Sequence, residues 1–162
     1  MPQDQIDASA FSPDMYDFLL LLAKYEVQYL IVGGEAVIYY GYARLTGDVD
    51  IFYARDPANA DRLYAAFRDF WGGPVPNLSS AEDLLQEGMI VQFGVPPNRL
   101  DLINTIDGVT FEEAWKGRHT LMIAGPKGQA AIHYIGLDAL IRNKHASGRP
   151  KDLDDLRYLE RR

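Results

Sequence analysis

The chain of 162 residues contains no cysteine. Disulfides and cysteine-ligated metal sites are thereby excluded, and redox compartment cannot be read from cysteine usage. Histidine is scarce. His119, His133 and His145 stand apart without metal-ligand spacing, and no role is assigned to them. Basic residues are in the minority, 16 Lys and Arg against 23 Asp and Glu, for a net charge of −7. That balance argues against a sequence-blind nucleic-acid coat, whose binding rests on cations facing phosphates, and leaves room for a local basic groove. Long apolar runs are missing as well. The longest, FLLLLA from Phe18 to Ala23, falls far short of the ~20 residues that span a bilayer. The N-terminus shows no basic-then-apolar signal pattern, so a cytoplasmic protein with no membrane partner is expected. No Gly-x-Ser-x-Gly, Walker loop or Gly-x-Gly-x-x-Gly occurs, which counts against α/β-hydrolases, P-loop enzymes and dinucleotide enzymes.

What is present suits an ordinary globular protein: 48% apolar residues, 12% aromatic and 24% charged. The length predicts one domain over 1–162, with a core at about 12–135 and a C-terminal helical segment over 136–162. Ser12-Pro13-Asp14 predicts a helix start, leading to a helix that ends near Lys24 and buries Tyr16, Leu19, Leu20 and Ala23. A short apolar strand over 29–32 ends at Gly33-Gly34, and a helix follows over 35–42. A strand over 48–53 precedes an amphipathic helix over 58–71 that Gly72-Gly73-Pro74 ends. A short helix over 80–87 and a hairpin of 89–93 with 99–104, turning at Pro96-Pro97-Asn98, come next. A helical turn or two over 110–115, strands over 119–123 and 130–135, and helices over 138–145 and 150–162 complete the chain. Strands interleave with helices and several neighbours read as antiparallel. The class is α+β, a single mixed β-sheet with helices packed mainly on one face.

The stretch Asp48-Val49-Asp50-Ile51-Phe52 places two acids one residue apart in this core strand. Side chains two apart in a strand share a face, so the carboxylates project together while Val49, Ile51 and Tyr53 turn to the core. Two carboxylates held that close repel unless a cation sits between them. Mg²⁺ answers that need, since it takes hard oxygen ligands from one or two carboxylates plus substrate phosphates. A solvated strand face is the competing reading. Phe52 weakens it, because Phe52 shares the acids' face. Upstream, Gly33-Gly34 is either a tight strand-to-helix turn or a place where backbone N–H groups approach a phosphate. Tyr39, Tyr40 and Tyr42 either stack a base or, as their helical spacing favours, pack into the core.

Taken together, Val32-Gly33-Gly34, thirteen residues, and Asp48-Val49-Asp50-Ile51 resemble the signature of the polymerase-β-type nucleotidyltransferase superfamily. The run Arg44-Leu45-Thr46-Gly47-Asp48-Val49-Asp50 is similar to the Arg-x-Thr-x-Asp-x-Asp form of its small bacterial members, among them the AbiEii-like toxin-type enzymes. The C-terminal stretch resembles the same group, with Lys144, Arg149, Lys151, Asp152 and Asp155 at matching positions. The likeness is strong over 29–53, good over 136–157 and weaker between. It implies transfer of a nucleoside monophosphate from a nucleoside triphosphate to a hydroxyl, with Mg²⁺ as cofactor, two ions, and Mn²⁺ as a substitute. Asp48, Asp50 and a third carboxylate would bind metal. Asp101 is preferred to Asp107 for the third, because Asp107-Gly108 reads as a turn. Gly33, Gly34, Arg44, Thr46 and Arg149 would meet the nucleotide, and Lys144 would add charge as the leaving group develops. The acceptor is an RNA or tRNA end, a small hydroxylated molecule or a protein, and a cognate partner protein in a toxin–antitoxin pair belongs to the same implication. The alternative is a non-catalytic module that binds a nucleotide or a partner on the same fold.

Overall fold

The structure, a computed structural model, describes residues 5–42, 48–94 and 98–161. Seven strands form one sheet: β1 (Gln5–Asp7), β2 (Tyr29–Val32), β3 (Asp48–Tyr53), β4 (Ile90–Phe93), β5 (Arg99–Ile103), β6 (His119–Gly125) and β7 (Gly128–Tyr134). Their order across the sheet is β1-β6-β7-β2-β3-β5-β4. The pairs β1–β6, β7–β2 and β3–β5 are parallel; the other three are antiparallel. The sheet is therefore mixed, and the class is α+β as expected. β1 adds a strand where none was predicted, ahead of residue 12, where the core was expected to begin. Three residues with one apolar side chain, Ile6, carry no periodic signal, and the strand exists through its pairing with β6.

The helices are α1 (Pro13–Lys24), α2 (Gly33–Tyr39), α3 (Pro57–Trp71), α4 (Phe111–Lys116), α5 (Leu137–Ser147) and α6 (Pro150–Leu159). Their ends are set by local chemistry. Ser12 Oγ accepts from Met15 N and Asp56 accepts from Asn59 N, each with proline at the first helical position. Gly72 and Gly148 end α3 and α5 in the left-handed region, at φ +71° and +61°. The buried stripe of α1 is Met15, Tyr16, Phe18, Leu19 and Leu22. Leu20 and Ala23, expected inside, are only partly buried, because a nearly all-apolar run leaves the phase of the stripe undetermined.

The two longest helices, α1 and α3, cover the face that carries Val49, Leu100 and Phe93. Phe18 stacks on Phe67 at 5.5 Å between ring centres, and Phe67 meets Phe93 edge-on at 5.3 Å. The short α4 reaches the other face, where Phe111 meets Phe52 at 5.2 Å. Asn59 joins β2, β3 and α3: its carbonyl accepts from Gln28 N, and its amide donates to Gln28 O and Ala54 O. Asn104, just past β5, does the same for the chain segment before β4. Its amide donates to Leu84 O and Gln86 O and its carbonyl accepts from Gly88 N. Each is a buried amide with its bonds met, so both fix loops without an uncompensated polar group.

The C-terminal helices close on a buried ion cluster. Lys144 Nζ lies 3.1 Å from both Asp152 and Asp155, and the three side chains are 3%, 0% and 1% exposed. Arg149 caps α6 and donates to Asp152 through Nε at 2.7 Å. Burial works to raise the Asp152 pKa, yet its bonds from Arg149 and Lys144 outweigh this and hold it below the usual carboxylate range. Removing the ammonium of this cluster would leave two buried carboxylates with Arg149 as the cation paired to Asp152 and no ammonium between them. Lys144→Met is expected to cost about 3–5 kcal/mol, seen as a fall in Tm of roughly 10 °C or more. Leu153→Ala on the exposed side of α6 should stay within about 0.5 kcal/mol of the parent in the same melts.

Candidate functional site

β3 lies between β2, which pairs with it antiparallel, and β5, which pairs with it in parallel. The register sets Val32 against Asp50, Asp50 against Asp101, and Asp48 against Arg99. Because side chains alternate along a strand, Asp48 and Asp50 share one face, and paired residues on neighbouring strands share it too. Asp101 therefore stands beside Asp50, about one strand spacing away. One oxygen from each of Asp48, Asp50 and Asp101 lies within 4.8 Å of the others. Farther along the same face Phe52 is fully buried, so the acids occupy the open end of an otherwise apolar surface.

This crowding has an electrostatic cost. The Asp50 carboxyl is pushed up to about 6, first by burial and then by the charges of Asp101 and Asp48, against a partial offset from Lys151 and Arg99. Arg99 is the residue that sequence reasoning passed over. Its Nη2 lies 2.6 Å from Asp48 Oδ2 and donates also to Asp101 Oδ2 at 3.1 Å. Arg99 Nε is 3.1 Å from Asp101 Oδ1, close enough for charge attraction, but the N–H direction makes no hydrogen bond and Oδ1 accepts none. The carboxylates of Asp101 and Asp48 hold the Arg99 pKa above its ordinary value. The strand period already puts Arg99 on the face of Asp101; only the register with β3 shows that it also reaches Asp48.

α2 begins at Gly33, two residues before the expected start, so the glycines form the helix's first turn and are not a linker ahead of it. Gly33 has φ +65°, and a Cβ there would run into the Asp50 carboxylate. Glycine is required twice over, by backbone conformation and by contact with the acid. A cleft of about 390 Å³ opens on this side of the sheet, lined among others by Gly33, Asp50, Asp107, Asn143, Lys144 and Arg149. A second cleft of about 300 Å³, with Glu35, Trp71 and Phe93 in its wall, lies behind β3 and meets Val49 rather than the aspartates.

The other expected site residues are distributed as follows. Lys144 borders the cleft, but its ammonium is committed to Asp152 and Asp155. Arg149 borders the cleft with its side chain 59% exposed, within electrostatic reach of Asp50. Gly34 is buried in the first turn of α2. Arg44 and Thr46 lie outside the described residues, as do Pro96 and Pro97 of the expected hairpin turn. Asp107 is outside the acid cluster; its carboxylate accepts from Ser147 and its carbonyl from Asn143, a turn tied to α5. Of the tyrosines weighed for base stacking, Tyr39 stacks on Tyr134 at 4.2 Å and Tyr42 on Tyr158 at 4.6 Å.

The donor set fits a divalent cation. Three hard carboxylates converge, one of them with its pKa raised by burial and by its neighbours' charges, and a buried Asp101 oxygen accepts no hydrogen bond. No family model matches the chain, and no curated protein sequence matches it. In fold it is similar to the crystal structure of a protein from Thermotoga maritima provisionally named a nucleotidyltransferase. The TM-score is 0.56 at 13% identity, over 98% of each chain. The fold is thus nucleotidyltransferase-like. Among the described residues no helix is long and apolar enough to cross a membrane.

The shifted Asp50 makes a signed prediction. A carboxyl whose folded pKa is raised from 3.8 to about 6 costs nothing below pH 4 and its full penalty above pH 6. Asp50→Asn is therefore expected to stabilise the metal-free protein by about 1–3 kcal/mol at pH 7, with the gain fading to zero by pH 4. Thermal melts in a chelator at the two pH values check it.

Proposed function

We propose that the protein is a metal-dependent nucleotidyltransferase that moves a nucleoside monophosphate from a nucleoside triphosphate to a hydroxyl. The observation that carries this reading is the register of β3 with β5, which gathers Asp48, Asp50 and Asp101 beside a cleft that also holds Gly33 and Arg149. The nucleotidyltransferase-like fold of the Thermotoga maritima protein supports it.

Asp48, Asp50 and Asp101 would hold Mg²⁺, one ion or two, and Mn²⁺ suits the same oxygen donors. When bound, the metal supplies Lewis acidity that offsets triphosphate charge and favours attack by a hydroxyl oxygen. Gly33, having no side chain to hold backbone and acid apart, lets a phosphate on the first N–H groups of α2 lie close to the carboxylates. Arg149 is the cation best placed for the phosphates: it too pairs with Asp152, but its side chain is exposed at the cleft while Lys144 is enclosed by its acids. Lys144 then acts as a brace: it fixes α5 to α6 and so sets where Arg149 stands. Asp101 takes up the acceptor's proton as the new bond to the α-phosphorus forms and the bond to the β-phosphate oxygen breaks, releasing pyrophosphate.

The acceptor we favour is an RNA end or a small hydroxylated molecule, the former following the toxin-type resemblance and the latter the net charge of −7. A protein side chain, including one of a cognate partner, is the third class. Incubation with each α-labelled triphosphate, Mg²⁺ and total RNA is the test. Label should move onto RNA, a small molecule or the protein itself with the parent chain, and fall by roughly 100-fold or more with Asp50→Ala and Asp101→Ala. Mg²⁺-dependent triphosphate binding with no transfer to any acceptor class would leave a binding module instead.

A further inference from the structure

Resting on the metal-site reading above, we infer that Arg99 is a built-in competitor of the divalent metal, a guanidinium that must leave Asp48 and Asp101 before these carboxylates can coordinate an ion. The contacts carry the inference. A single nitrogen, Nη2, bridges carboxylates from two strands, at 2.6 Å to Asp48 and 3.1 Å to Asp101. These are two of the three groups that converge within 4.8 Å. Mg²⁺ draws its oxygens in to ~2.0–2.1 Å, so an ion held by these carboxylates, even through their second oxygens, would stand beside the guanidinium, and two cations so close repel.

Arg99 is also partly open to solvent: its side chain is 32% exposed, and among the described residues its polar contacts are with these acids alone. A guanidinium released here would find a bidentate partner in a phosphate group, so a triphosphate and the metal should bind better together than apart. Held in place, Arg99 offsets the repulsion of the cluster and keeps the metal-free protein folded with its acids together. It is thus a residue that changes partners on binding, from the carboxylates to the ligand.

The sign of one measurement separates competition from mere support. Mn²⁺ alone is titrated into the full chain and followed by electron paramagnetic resonance, for the parent, Arg99→Met, Arg99→Lys and Asp101→Asn. Arg99→Met is expected to lower the metal-free Tm and to tighten Mn²⁺ roughly tenfold or more, with Arg99→Lys between it and the parent. Asp101→Asn should weaken Mn²⁺, which places the ion at the cluster. Folded Arg99→Met that binds Mn²⁺ no better than the parent would overturn the inference and leave the metal site standing. If Arg99→Met does not fold, Arg99→Lys decides by the same sign. No Mn²⁺ binding by any variant at millimolar concentration would overturn both the metal site and the competitor.

Discussion

Three carboxylates that meet within 4.8 Å repel one another unless a cation stands among them, and much of the local structure answers that constraint. Asp48 and Asp50 are bound to one face by the pleat of β3. Asp101 is brought to them by parallel pairing with β5, a geometry that a simple hairpin cannot make and that here uses α3, the segment before β4, and β4 itself as the crossover. Gly33 is glycine because the first turn of α2 rests against Asp50. Arg99 sits across Asp48 and Asp101, and Asp50, farther from it, carries the unresolved part of the strain as a raised pKa. Such a set is poor design for stability, and the proposed function gives it a reason: a metal and a triphosphate would supply the missing positive charge and its partner.

The surrounding scaffold keeps this unstable arrangement from relaxing. Asn104 anchors the chain ahead of β4 to the end of β5, and Asn59 ties the far ends of β2 and β3 together, which favours the register that gathers the acids. A slip of one residue would turn Asp48 and Asp50 into the packed face of Val49 and Ile51. The cluster of Lys144, Asp152 and Asp155 is a second charged group buried for geometric reasons. It gives α5 and α6 a single way to meet, and that fixes the base from which Arg149 reaches the cleft. With Arg149 counted, its two cations match its two carboxylates, whereas among the described residues Asp48, Asp50 and Asp101 share one ion-paired cation, Arg99.

Much of this was legible in the sequence, and the gaps have physical causes. Period-two alternation placed Asp48 and Asp50 together with Phe52, and turn chemistry separated Asp101 from Asp107. The signals at Ser12 and Gly72 marked helix ends close to where they fall. Strand register was not legible, because it is decided between segments fifty residues apart; hence Arg99, on the expected face throughout, drew no notice until its neighbour proved to be Asp48. That Lys144 is enclosed was not legible, because nothing local shows how far Asp152 and Asp155 turn inward upon it. β1 escaped because three residues at a sheet edge carry no pattern of their own.

The central claim, that the aspartate cluster is a divalent metal site which opens to a triphosphate, is most directly tested by a crystal structure with Mn²⁺ and a non-hydrolysable nucleoside triphosphate. An anomalous peak within coordination distance of Asp48, Asp50 and Asp101, bridged to the phosphates, is the expected result. A triphosphate bound elsewhere, with no anomalous peak at the three carboxylates, would contradict it.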